Sequence, residues 1–286
     1  MGEADRIRML WRGAANYQLL YRDHTILLDP LFTRLPGDKP HLAESRDSVE
    51  RIDYLLLTHG HIDHSWDVPY LATKHNPVIY GPRTCLADVR REKQRGFEAA
   101  RWNVLETCKG RPFSIADIEI TPYQIKAEEI DWWFVRDMAI RPLRHRRLSA
   151  LRYGIKWLTH HVFGNCFAFH FRFAGLQKSM LFFGNLTGDV SELHEIERVD
   201  LLALPYCPAN QKWVEQTEYL IKRFSAPVVL VHHFDNFMNP FTRSEYIDVG
   251  EYRQAIRACC PGTSLNLSKF GREVDLADIV EAHAVR

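Results

Sequence analysis

The stretch YLLLTHGHIDHSWD, residues 54–67, places His59, His61, Asp63 and His64 within six positions at the end of an apolar run. The continuous run predicts a buried strand that ends at the His-Gly turn. Imidazoles together with a carboxylate are ligands for Zn, Fe and Mn. The alternative, a histidine-rich surface loop, does not account for the apolar strand in front of the cluster. The stretch therefore predicts a metal centre at the end of a buried strand.

The composition is that of a globular protein with a sizeable core. Hydrophobic residues make up 46% of the 286 residues and charged residues 26%. The 37 Lys and Arg nearly cancel the 36 Asp and Glu, which gives no overall field for nucleic acid or a membrane surface. The apolar runs are shorter than the ~20 residues of a transmembrane helix, and the N-terminus lacks the apolar core of a secretory signal. Six cysteines without CxxC spacing indicate reduced thiols, and so a cytoplasmic protein.

The order of apolar patterns predicts two sheets with helices outside. Short strand patterns fill residues 6–29 and recur up to residue 125, and strands and helices alternate from residue 165 onward. Helices are predicted at 83–96, near 190–197, at 213–224 and at 249–260. Residues 127–163 lack strand alternation and are predicted to be an insertion that covers the site. We predict an α+β fold in a single domain over residues 1–286.

Four motifs carry a resemblance to a known family. THGHIDH matches the T-H-x-H-x-D-H signature of the metallo-β-lactamase superfamily, and TILLDPLF, SMLFFGNLTG and VVLVHHFDNF resemble its other strand-end motifs. The last of these is similar to the branch that holds L-ascorbate-6-phosphate lactonase and N-acylphosphatidylethanolamine phospholipase D. The resemblance implies a four-layer αββα sandwich with the metal site at one sheet edge.

The resemblance also implies which residues bind metal. One ion would be bound by His59, His61 and a third histidine from a later loop, and the other by Asp63, His64 and a late histidine. His233 fits the late position by its HFDNF context, with His232 as the weaker alternative. An aspartate bridges the two ions in the family.

Two of the family positions are altered in this chain. Asn185 stands where the bridging aspartate belongs, and KAEE follows EITPYQI where the third histidine belongs. An amide offers a neutral oxygen, so it cannot supply the charge that holds two dications close together. Substitute ligands to consider are Glu128, Glu129, His160, His161 and Asp189. Because the set Asp63, His64 and His233 is complete, we predict one or two divalent ions, with zinc first and iron or manganese as alternatives.

The predicted chemistry follows from this ligand set. We expect a metal-dependent hydrolase of a small ester, lactone, amide or phosphodiester, with Asp63 orienting the attacking water. The two-histidine, one-carboxylate set also suits an iron- and O2-dependent oxidoreductase. A third possibility is a fold retained only for binding, although the retained ligand cluster argues against it.

The insertion carries most of the arginine and tryptophan clustering. Arg144 and Arg147 are predicted to bind a phosphate or carboxylate of a small-molecule substrate, with Trp132 as an apolar wall. The alternative is a basic helical face in solvent. Asp29 is expected to support the metal loops or to cap a turn, and Asp67 and Asp235 to orient ligand histidines. The sequence leaves a homo-oligomer open.

Overall fold

The computed structural model describes residues 6–34, 38, 45–91, 101–126, 165–206, 212–235 and 249–281. Within these ranges the strands form two seven-stranded sheets with helices on their outer faces.

The first sheet combines an antiparallel half with a parallel half. Its strand order is β14-β1-β2-β3-β4-β5-β6. β1, β2 and β3 are neighbouring antiparallel strands, whereas β4, β5 and β6 run parallel to β3. The strands are β1 (Ile7–Trp11), β2 (Tyr17–Tyr21), β3 (His24–Leu28), β4 (Tyr54–Leu56), β5 (Val78–Gly81), β6 (Trp102–Val104) and β14 (Glu273–Asp275).

The second sheet has the order β13-β12-β11-β10-β9-β8-β7. β10 to β13 are parallel, and β7 to β9 are antiparallel. The strands are β7 (Phe113–Ile115), β8 (Ile118–Ile125), β9 (Cys166–Phe173), β10 (Lys178–Phe183), β11 (Leu201–Pro205), β12 (Val228–His232) and β13 (Ser264–Leu267).

Helices flank the two sheets. They are α1 (Ile62–Ser65), α2 (Val68–His75), α3 (Arg83–Arg91), α4 (Leu105–Cys108), α5 (Trp213–Arg223), α6 (Val249–Cys259) and α7 (Leu276–Glu281). α2 and α3 pack on the outer face of the first sheet, where Leu71 and Leu86 join Leu55 in one core cluster. α5 and α6 pack on the second sheet, where Leu220 and Ile256 join its outward apolar residues.

The inner faces of the two sheets share one core. In β9 every second residue, from Phe167 to Phe173, is a buried phenylalanine that belongs to this core together with Leu19 and Ile26 of the first sheet. The alternation places one face of the strand between the sheets, and burial of each ring contributes roughly 1.5–3 kcal/mol. The layers are therefore helix, sheet, sheet and helix, which confirms the predicted α+β, αββα sandwich.

Some predicted elements are wrong at their boundaries. Strand patterns were expected to recur up to residue 125, but within that region β6 ends at Val104 and Leu105–Cys108 forms α4. The helix expected near 190–197 is a three-residue 3-10 turn, Ser191–Leu193. α1 and α2 were not predicted, although Asp67 and a proline at the start of α2 are typical helix-start signals.

Two predictions concern parts of the chain outside the described ranges. The insertion at 127–163 lies there, so its placement over the site and the single domain over 1–286 stay predictions. In the part of the chain that the structure describes, no helix combines the length and apolar character that crossing a bilayer requires.

Candidate metal centre

The histidine cluster lies where several strands of both sheets end. Asp29 follows β3, and Thr58 and His59 come shortly after β4. Gly184 follows β10 and His233 follows β12. The N–H of Phe167 donates to the carbonyl of Thr58 (2.9 Å), which joins the second sheet to this segment. Strand ends from the two sheets thus bring together residues that are far apart in sequence.

Asp29 is a buried residue that links several segments at this edge, and we call its carboxylate the hub. Its Oδ1 accepts the backbone N–H of Thr58 (2.7 Å), and its Oδ2 accepts the Thr58 hydroxyl (2.5 Å). Oδ2 also lies 2.9 Å from Nδ1 of His64. The side chain is completely buried, so these contacts replace its hydration. Asp29 therefore supports the metal loops, as expected, and it does so by bonding directly to a predicted ligand.

These contacts orient two of the histidines. The Thr58 hydroxyl donates to Asp29, so its oxygen can accept a hydrogen bond from Nδ1–H of His59, 2.9 Å away. His64 likewise donates from Nδ1 to Asp29. In the neutral form of each ring this assignment leaves the lone pair on Nε2, where a metal ion could bind. The carboxylate of Asp29 behind His64 is the usual device by which metal sites set the tautomer of a ligand histidine.

The most complete candidate metal site consists of Asp63, His64 and His233. Oδ2 of Asp63 lies 3.1 Å from Nε2 of His233 and 3.4 Å from Nε2 of His64. One ligand atom from each of the three residues lies within 4.8 Å of the other two. Asp63 and His64 sit on α1, a single helical turn that directs both side chains to His233. The donor set, two imidazole nitrogens and one carboxylate oxygen, fits a divalent transition metal ion.

The electrostatics of this cluster favour a bound cation. Burial opposes the charge on Asp63, yet His64 and His233 lower its pKa well below the usual value. Burial would lower the pKa of His64, but Asp63 and Asp29 outweigh burial and raise it to about 10. The carboxylates of Asp63 and Asp29 therefore keep His64 protonated and positively charged between them. A metal ion bound at this site would displace that proton.

The other predicted ligand pair is less complete. The rings of His59 and His61 lie with centroids 4.3 Å apart. Burial, His64 and His61 lower the pKa of His59 well below 6.5, which keeps the ring neutral, as ligation requires. His59 also forms a compact group with Asp29 and His64. The proposed third ligands Glu128, Glu129, His160 and His161 lie outside the described residues.

Asn185 stands at the same edge. It is half-buried and directly follows Gly184. A Cβ on Gly184 would lie 2.0 Å from Oγ1 of Thr58 and 2.5 Å from Oδ2 of Asp29, so only glycine allows β10 to approach the hub. Whether Asn185 binds metal stays a prediction. Asp189 is exposed, and its carboxylate accepts the N–H of Ser191 (3.2 Å), so it caps a local turn rather than replacing the bridge.

The two carboxylates expected to orient ligand histidines, Asp67 and Asp235, bond to backbone N–H groups rather than to a histidine ring in the described part of the chain. Asp67 accepts the N–H groups of Phe32 and Thr33, both at 2.7 Å, and so anchors the loop after β3. Asp235 accepts the N–H of Ala14 (2.8 Å). The carboxylate that orients a ligand histidine is Asp29, whose contact with His64 spans 35 positions in sequence.

His232 belongs to neither of the two groups of potential metal ligands found among the described residues. It is completely buried, with its ring stacked on Phe182 at 5.2 Å and edge-on to Tyr17 at 5.5 Å. His233, the next residue, faces Asp63 instead. The choice of His233 over His232 therefore agrees with the geometry. Trp132, Arg144 and Arg147 lie outside the described residues.

The fold and the cluster of candidate metal ligands at the strand ends point to one class of protein. A comparison with models of known protein families identifies that class. A family model described as "Beta-lactamase superfamily domain" matches residues 24–234. The chain belongs to this family, which confirms the resemblance inferred from the motifs.

Curated relatives match parts of the chain. A UPF0173 metal-dependent hydrolase of Polynucleobacter asymbioticus is 34% identical over 82 residues, which are 28% of this chain and 29% of the relative. A UPF0173 metal-dependent hydrolase of Koribacter versatilis is 30% identical over 117 residues, or 40% of this chain and 45% of the relative. The chain thus matches less than half the length of either protein.

Solved structures share the fold over nearly the whole chain. Igni18, a metallo hydrolase of Ignicoccus hospitalis, is 16% identical with a TM-score of 0.64, covering 95% of this chain and 98% of that one. CmlA, a diiron β-hydroxylase of Streptomyces venezuelae, is 16% identical with a TM-score of 0.61, covering 96% of this chain and 55% of that one. At these identities the likeness establishes the architecture alone.

Proposed function

We propose that this protein is a metal-dependent hydrolase of a small ester, lactone, amide or phosphodiester. The observation that carries the proposal is the convergence of Asp63, His64 and His233 at the ends of strands from both sheets. Zinc is the first choice of metal, and the same donors also suit iron and manganese. His59 and His61, with Asn185 and a residue such as Glu128, are the proposed ligands of a second ion.

A divalent ion bound there would lower the pKa of a water molecule and draw charge from the attacked carbonyl or phosphoryl oxygen. Asp63 is assigned a second role, that of accepting a hydrogen bond from the attacking water and orienting it. Its low pKa keeps the carboxylate ionised for this task at neutral pH. Asp29 holds His64 by its Nδ1, so that Nε2 stays directed at the site.

The substrate side of the proposal rests on the sequence. Arg144 and Arg147 would bind an anionic group of a small molecule, and Trp132 would contact its apolar part. A cytoplasmic location rests on the cysteines, since Cys108, Cys166, Cys259 and Cys260 are free thiols in the described part of the chain. A homo-oligomer remains compatible with the proposal.

One observation favours a second candidate, an iron- and O2-dependent oxidoreductase. The three-residue group contains two histidines and one carboxylate, the composition of non-haem iron oxygenase sites. The shared fold with CmlA is compatible with this alternative but does not choose it.

Metal replacement distinguishes the two candidates. After anaerobic purification and chelation, the protein is reloaded with Zn, Mn or Fe(II) and assayed against esters, lactones, amides and phosphodiesters, with and without O2. We expect Zn or Mn to restore hydrolysis in the absence of O2, with the exposed His194→Ala as an active control and His233→Ala inactive. Turnover that requires Fe(II) and consumes O2 would favour the oxidoreductase instead.

A further inference from the structure

The ligand histidine His233 has an unusual backbone that the β1–β2 turn holds in place. Its φ is +65°, a left-handed conformation that is uncommon for residues other than glycine. Its N–H donates to the carbonyl of Ala14 (3.0 Å), which also accepts Nε1–H of Trp11 (2.9 Å). The backbone of the turn between β1 and β2 thus fixes the residue that completes the candidate site.

A buried ion pair secures this turn from the other side. The N–H of Ala14 donates to Oδ1 of Asp235 (2.8 Å), and Oδ2 of Asp235 lies 2.8 Å from Nη1 of Arg34. The side chains are only 2% and 7% exposed. A Cβ on Gly13 would lie 1.9 Å from Nη2 of Arg34, and the φ of Gly13 is +93°, so the turn closes directly over the pair.

The same turn also contacts the segment that carries the other two ligands. Ala14 and Leu31 form a small apolar cluster with Trp66 packed against it. Trp66 is the C-cap of α1, the helix that holds Asp63 and His64. The turn between β1 and β2 therefore contacts both segments that carry candidate ligands, the segment with His233 and the segment with α1.

We infer that Arg34 and Asp235 are positioning residues that set the distance between His233 and the α1 ligands, acting through Ala14. This inference rests on the proposed function. Asp235 lies two residues after His233, so its contact with Ala14 closes a short loop around the ligand. The positive charge of Arg34 balances the negative charge of the buried Asp235 carboxylate, which is costly to bury without such a partner.

Zinc titration and hydrogen exchange test the inference in the full-length protein. Asp235→Ala is expected to weaken zinc binding roughly 10–100-fold, the range typical of outer-shell partners. In the metal-free protein, exchange of the amides at 231–235 should become faster relative to wild type. Asp235→Asn keeps an oxygen for the Ala14 N–H but loses the ion pair, so it should give an intermediate loss and partial protection.

Asp53 supplies a matched control. Its carboxylate also pairs with an arginine, Arg51 (2.7 Å), and also accepts a backbone N–H, that of Thr25 (2.9 Å), but at the start of β4 rather than at the site. Asp53→Ala should leave zinc affinity and the 231–235 amides unchanged.

The inference would be overturned if Asp235→Ala bound zinc with wild-type affinity and its amides at 231–235 exchanged at the wild-type rate. If the alanine variant does not fold, the same two measurements on Asp235→Asn decide whether the inference holds. A wild-type protein that binds neither zinc, manganese nor ferrous iron would overturn the proposed function, and the exchange measurement would then decide the inference alone.

Discussion

Replacing Asp63 with alanine is expected to weaken zinc binding by more than the roughly 10–100-fold typical of losing an outer-shell partner and to abolish hydrolysis. Oδ2 of Asp63 is the atom that His64 and His233 both face, at 3.4 and 3.1 Å. Its removal takes away the charged ligand of the candidate site and leaves two histidines. Calorimetric titration of the chelated protein with zinc measures the affinity, and the hydrolysis assay measures the activity.

Two variants sharpen this test. Asp63→Asn preserves the size of the side chain and one neutral oxygen, so zinc affinity should fall less than with alanine. Asp189→Ala removes an exposed carboxylate that accepts a local N–H, and wild-type behaviour is expected. If Asp189→Ala rather than Asp63→Ala lost zinc, the assignment of the ligand carboxylate would be wrong.

Replacing Asp29 with alanine is the change expected to have the largest effect on stability. It leaves the N–H and hydroxyl of Thr58 and the Nδ1 of His64 without the acceptor that all three share. Losing one partner of a buried charged group costs roughly 3–5 kcal/mol. Urea denaturation should show this loss in the free energy of unfolding, and zinc affinity should fall roughly 10–100-fold because His64 is no longer held.

Asp200 provides the comparison for this variant. Its carboxylate accepts the N–H of Ser179 (2.9 Å) and lies 3.4 Å from Nζ of Lys178, and its side chain is 23% exposed. Asp200→Ala should cost about 1 kcal/mol and leave zinc affinity unchanged. Equal effects of the two variants on zinc binding would contradict a role for Asp29 in orienting His64.

Much of the fold was predictable because its strands are apolar patterns bounded by clear turns. The run before His59 was predicted as a buried strand and is the centre of the parallel half of the first sheet. Strand β9 lies in the region from residue 165 onward where strands were predicted, and its alternate phenylalanines fill the inter-sheet core. α1 was missed because four residues are too few to show helical periodicity.

The candidate site was predictable only where its ligands are close together in sequence. His59, His61, Asp63 and His64 form one motif, and His233 was found through its own strand-end motif. The links between these segments join residues far apart in the chain, as in the contacts of Asp29 with His64 and of Arg34 with Asp235. The left-handed backbone of His233 also has no sequence signal, because glycine is the residue that usually marks such a position.

The metal content per chain tests the candidate metal centre most directly, and it is measured by elemental analysis on protein purified anaerobically without added metal. The site built from Asp63, His64 and His233 predicts at least one equivalent of a divalent transition metal in the wild-type protein, and its loss in Asp63→Ala. A second equivalent would mean that His59 and His61 also find the ligands they need. No metal in the wild-type protein, even after reconstitution with zinc, manganese and ferrous iron, would contradict a metal centre at these residues.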